Sequence, residues 1–152
     1  MVKWIQGIHW GKVIGIGVLF AVISMVVRQL EMLWTIQYYT DPAYFGLWSP
    51  LMMPKAGPPP PEFFIFSIIS SIFTGMALTL IYYYLREYLP KGYWKRSFFF
   101  ADVLVATSFI FFTVPVALLF HIPYGLLAWW FGSTFVIVSA SSLVIVKMVG
   151  MK

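Results

Sequence analysis

The chain has 152 residues, of which 61% are hydrophobic and 10% charged, with a formal net charge of +5 and no cysteine. Soluble domains carry roughly a quarter charged residues, and no soluble fold of this size hides so much apolar surface. The composition therefore describes an integral membrane protein, and the missing cysteines exclude disulfides, thiolate metal centres and cysteine nucleophiles.

In chain order, four apolar runs reach the roughly 20 residues needed to cross a bilayer as helix. They are Val13 to Trp34, Phe63 to Leu85, Phe98 to Phe120 and Tyr124 to Val146. The expected fold is an all-α bundle of four transmembrane helices forming a single domain over residues 1–152. Lys3 and Lys12 ahead of the first run resemble a signal peptide. The run, however, continues through Arg28 and Glu31 with no small-residue cleavage site, so it reads as a true span.

Within the first span, Gly7, Gly11 and Gly15 recur every fourth residue. Such a stripe lets helix backbones approach closely, either within the bundle or against another subunit. Further along, Arg28 and Glu31 stand three apart, which places them on one helical face. Intramembrane charges are costly and tend to be paired or functional. The pair reads either as a self-neutralising couple near the membrane edge or as a polar patch that grips a partner or lines a pathway.

The connection over 35–62 contains "FGLWSPLMMPKAGPPPPEFF". Pro58 to Pro61 are expected to form a short polyproline rod that delivers the chain to the second span, with Glu62 in its first turn. Trp48, Met52 and Met53 are too apolar for a solvated loop. They lie on the bilayer, cover the bundle or meet a partner; a docking surface is the expectation, methionine being an adaptable contact residue. The second span repeats the small-residue pattern at Ser67, Ser71, Gly75 and Thr79.

The connection over 86–97 carries Arg86, Lys91, Lys95 and Arg96. With Lys3, Lys12, Lys147 and Lys152 it places both termini and this loop in the cytoplasm by the positive-inside rule. The positive charge thus goes to topology and anionic headgroups, not to nucleic acid. Asp102, about a turn inside the third span, is expected to pair with Arg86 across the hairpin, or with Lys12. Pro115 removes a helical hydrogen bond and is expected to kink the third span. The fourth span offers small residues at Ala128 and Gly132, then from Ser139 to Ser142.

His9 and His121 fall on opposite sides of the membrane in this topology, so they do not form a shared metal or haem site. No nucleophile elbow, zinc-protease motif or phosphate loop is present. No catalytic residue, metal or cofactor is therefore expected.

Trp48 with Pro50 after the first span, and "TGMALTLIYYYLR" with Gly75, Tyr82 and Arg86, are similar to features of small four-span prokaryotic membrane proteins. That resemblance implies the same four-span architecture and brings no activity with it. The function expected is a non-catalytic accessory subunit of a larger complex in the plasma membrane. A small oligomeric transporter or channel is the alternative, lined by Ser67, Ser71, Thr79, Thr107, Ser108 and Thr113. A membrane-embedded enzyme comes third. The expected partners are the lipid bilayer and larger membrane proteins.

Overall fold

The computed structural model describes residues 7–55 and 59–150. Four helices are long and apolar enough to cross a membrane: α1 (Trp10–Thr40), α2 (Pro61–Leu85), α3 (Tyr93–Leu119) and α4 (Tyr124–Val149). No strand occurs among the described residues. Each helix exceeds its expected span by a few residues at one or both ends or matches it closely, because interfacial tyrosines, tryptophans and basic residues prolong the helix beyond the hydrocarbon. The protein is thus a four-helix, multi-pass membrane protein.

The helices are not arranged as a closed square. α1 packs between α2 and α4, and α3 lies against the other side of α4. A third of the most apolar window of α1 and 39% of that of α4 are buried, against 11% for α2 and 6% for α3. α1 and α4 are therefore the central pair, and α2 and α3 are the flanks.

All four helices converge at one end, which also holds both ends of the described chain. There Ile16, Tyr82, Leu89, Phe100, Ile145 and Val146 form one buried cluster. The Tyr82 and Phe100 rings meet edge-on with centroids 5.4 Å apart, and the Tyr82 hydroxyl donates to the Gly150 carbonyl at 3.4 Å. We call this the terminal end. The opposite end carries the proline loop and is called the loop end.

The tightest helix crossing lies between α1 and α2. A Cβ built on Gly75 would stand 2.5 Å from the Phe20 Cβ and 3.0 Å from the Gly17 Cα. One built on Gly17 would stand 2.8 Å from the Ile72 carbonyl oxygen. Gly75 was expected in a packing stripe, but its partner Gly17 was not. Gly11, Gly15 and Gly132 have nothing within 4 Å of a built Cβ, so they pack against no helix of this chain. The reason is register. Two residues along a helix turn about 200°, so a face that includes Gly15 is opposed to the one that buries Gly17, Ala21 and Ser24. Ala128 and Ser67 are likewise exposed, Ser71 is half-buried, and Gly7 lies beside the Arg86 guanidinium.

The bend device in α3 also differs from a simple proline kink. Residues Phe109–Thr113 form a π-helical turn, in which the Val114 N–H donates to the Phe109 carbonyl five residues back. Pro115 cannot donate, and its ring crowds the carbonyl four residues earlier. A single wide turn immediately before it relieves that crowding within one continuous helix.

Candidate functional site

The site is built where α1 and α4 meet in the half of the membrane nearer the loop end. Arg28 and Glu31 lie one turn apart on α1, and Arg28 Nη1 approaches Glu31 Oε2 to 2.6 Å. Glu31 is buried while Arg28 is partly exposed. The arginine also crosses to α4. Nη1 donates to Ser133 Oγ at 2.6 Å and Nη2 donates to Thr134 Oγ1 at 3.2 Å. Ser133 Oγ in turn donates to the Trp130 carbonyl at 3.0 Å.

This arrangement neutralises a charge that would be prohibitive alone in hydrocarbon. It also fixes the register of α4 against α1, since a shift by one residue carries Ser133 and Thr134 off the guanidinium. Nothing in the sequence singles out Ser133 and Thr134. Their signal was only two adjacent hydroxyls in an apolar run, and nothing local told which helix they faced.

Toward the loop end the interface becomes aromatic. Trp130 Nε1 donates to the Tyr39 hydroxyl at 3.0 Å. Trp34 stacks on Trp129 with centroids 5.7 Å apart. Trp48 from the connecting loop closes over both helices, 4.7 Å from the Tyr39 ring and 6.2 Å from Trp130.

Of the places open to Trp48, Met52 and Met53, the structure shows contact with the chain's own bundle for Trp48. Asp41 Oδ1 accepts from the Ala43 N–H at 2.9 Å and starts a 3₁₀ turn over Pro42–Leu47. This turn folds the chain back over the bundle. Met53 is buried, while Trp48 and Met52 are half-buried. Trp48 thus covers the α1–α4 seam, because burying it on the helix ends is better than leaving it in water, while Leu51 remains exposed. Of the proline run, Pro59 and Pro60 precede the helix, Pro60 has the extended φ −70°, ψ 158°, and Pro61 already begins α2. Pro58 and Gly57 lie outside the described residues.

Asp102 overturns an expectation. It makes no ion pair with Arg86, the Arg28–Glu31 bridge being the one ion pair among the described residues. Arg86 instead lies buried with its guanidinium 5.0 Å from the Tyr83 ring centroid. Arg96 is also buried, and its Nε donates to the Pro90 carbonyl at 3.0 Å. Asp102 is exposed on the opposite face of α3.

Among the described residues no three His, Asp or Glu side chains come together in a way that would hold a metal ion. His9 lies at the terminal end, its backbone N–H donating to the Tyr83 hydroxyl at 3.4 Å. His121 lies at the loop end in a shallow cavity of about 480 Å³ with Tyr44 and Tyr124. No family model, curated protein or solved structure matches the chain.

Proposed function

We propose that the protein is a non-catalytic accessory subunit that packs beside a larger protein in the plasma membrane, with its termini in the cytoplasm. The observation that carries this reading is how the polar groups of the membrane region are spent. Glu31, Arg28, Ser133 and Thr134 satisfy one another at the α1–α4 seam. Thr79 donates to the Gly75 carbonyl at 2.7 Å and Thr107 to the Val103 carbonyl at 2.8 Å. A pathway through the chain needs such groups to line one continuous space. Here Thr79 and Thr107 sit on the two flanking helices, on opposite sides of the central pair.

Apart from the buried hydroxyls of Ser139, Ser141 and Ser142, which have no hydrogen-bond partner, what remains is surface. α2 presents Phe66 and Phe73 outward, and α3 presents Phe111 and Leu118. The two flanking helices are anchored to the central pair and offer long faces to whatever lies beside them. Native membranes carrying the tagged chain, cross-linked and solubilised in mild detergent, are the test. A discrete larger assembly of constant composition is the expected result. Recovery of the cross-linked chain only as a monodisperse monomer overturns the reading.

A further inference from the structure

Asp102 is the acidic residue of the membrane region that the fold leaves alone. Glu31 has Arg28. Asp41 caps the 3₁₀ turn, Glu62 lies in the first turn of α2, and Glu87 is in the 86–92 connection. Asp102 is nine residues beyond Tyr93, where α3 begins, or about 14 Å along the axis at 1.5 Å per residue. A helix of 27 residues is about 40 Å long and so crosses the headgroups as well as the hydrocarbon. Asp102 therefore lies roughly 8 Å inside a hydrocarbon layer about 30 Å thick. Its short side chain cannot reach back to water as a lysine can.

The face it occupies is unpartnered within the chain. α3 buries Arg96, Ser97, Phe100 and Ala101. At about 100° per residue Asp102 falls on the reverse side. Phe98, Phe99 and Ala106 share that side and are exposed. Lys95 is on the same face but two turns nearer the terminal end, about 10 Å away along the axis.

We propose that Asp102 docks a transmembrane helix of a partner protein that carries a lysine or arginine at the same depth. The inference rests on the accessory-subunit reading and names the chemistry of its contact. Charge complementarity selects the occupant. A carboxylate in hydrocarbon is stabilised by a cation facing it, and Ala106, one turn deeper on the same face, lets a second backbone come close.

Among the described residues, a second copy of this chain supplies no cation at that depth: its Lys55 is in the loop-end connection, its Lys91 precedes α3, and its Lys95 is two residues from the start of α3. Its Arg28 belongs to the other end and is already committed to Glu31, Ser133 and Thr134. Arg86 and Arg96 are buried. Lys12 and Lys147 each lie two residues from the terminal-end tip of their helices, roughly 10 Å shallower than Asp102. Lipid does not supply it either, since amine headgroups stay at the interface and anionic ones repel the carboxylate.

The probe is a set of synthetic transmembrane peptides of alternating leucine and alanine. They carry one lysine about 14 Å from one end, a leucine at that position, or a glutamate there. Each is labelled with an acceptor fluorophore and mixed with the donor-labelled full chain in phosphatidylcholine vesicles. Energy transfer to the lysine peptide is expected to show about tenfold tighter association than to the leucine peptide. Asp102→Asn, nearly isosteric on an exposed face, removes that preference, and Asp102→Glu retains most of it.

Equal association of the lysine and leucine peptides overturns the proposal and leaves Asp102 an ordinary interfacial carboxylate. So does an Asn variant that still discriminates. Preference for the glutamate peptide, or energy transfer between two copies of the chain that Asp102→Asn abolishes, also overturns it, in favour of carboxyls that share a proton. The native-membrane cross-linking test is read separately. If Asp102→Asn keeps every native partner and the peptides are not distinguished, this contact falls and the accessory reading stands. If the chain has no native partner yet selects the lysine peptide, the contact stands and the accessory reading falls.

Discussion

Adding one methyl group at Gly75 tests the α1–α2 crossing directly. In Gly75→Ala the new Cβ falls 2.5 Å from the Phe20 Cβ and 3.0 Å from the Gly17 Cα. Ordinary carbon contacts lie at about 3.5–4.0 Å, so the helices must separate by the better part of an ångström or Phe20 must leave its place in the core. Neither neighbour is the tip of a flexible side chain. Overpacking of this kind costs about 1–3 kcal/mol.

Alanine also gains about 0.5–1 kcal/mol over glycine in a helix interior. The informative quantity is therefore the difference from Gly15→Ala, where a Cβ meets nothing within 4 Å. The propensity gain cancels between the two variants, leaving the overpacking cost of about 1–3 kcal/mol. Reversible unfolding in mixed micelles with increasing sodium dodecyl sulfate measures both, Gly15→Ala being expected at or slightly above the wild type. Equal stability of the two alanine variants refutes the crossing at Gly17 and Gly75.

The α1–α4 seam yields a double-mutant test. Arg28→Leu strands a buried Glu31 and is expected to lose about 3–5 kcal/mol in the same assay, while Arg28→Leu with Glu31→Leu recovers most of it. No recovery in the double variant would show that the hydroxyls of Ser133 and Thr134, not the carboxylate, hold the arginine. Trp48→Ala is expected to cost about 3 kcal/mol of bundle stability, because the ring covers Tyr39 and Trp130. A variant that unfolds like the wild type would return Trp48 to a free surface. Ser142 is buried and its hydroxyl lacks a partner, so Ser142→Ala is expected to be neutral or up to about 1 kcal/mol stabilising. A loss of more than that amount, seen by the same denaturation, would show a hydrogen bond through that hydroxyl.

The spans were legible because their signal is local. Length and hydropathy alone found α1 to α4, and Glu62 marked the start of α2. The Arg28–Glu31 pair was legible for the same reason, since both residues lie on one turn of one helix. What the sequence left open were relations between helices. Gly11 and Gly15 have the spacing of a packing stripe, yet the fold turns the next glycine, Gly17, toward Gly75. A spacing rule gives the existence of a face and not its direction. Trp48 and Met53 are too apolar for a solvated loop, and the structure has Trp48 half-buried and Met53 buried. Which apolar surface they cover depends on the 3₁₀ turn started by Asp41, a matter of loop geometry.

Asp102 shows the same limit from the other side. A hairpin places Arg86 and Asp102 near the same end of adjacent spans, and a pair is the simplest way to neutralise both. The flanking position of α2 and α3 around the α1–α4 pair defeats it. α2 and α3 are consecutive in the chain, but the central helices separate them for most of their length. Arg86 turns into the terminal end over Tyr83, and Asp102 is left facing away. An architecture that spends Arg28 on Glu31 within one seam and leaves Asp102 unpaired on a flank distinguishes the two charges by role. The first holds this chain together. The second has no ion pair within the described residues, and that asymmetry is the strongest physical reason to look for a partner at α3 before looking at the loop.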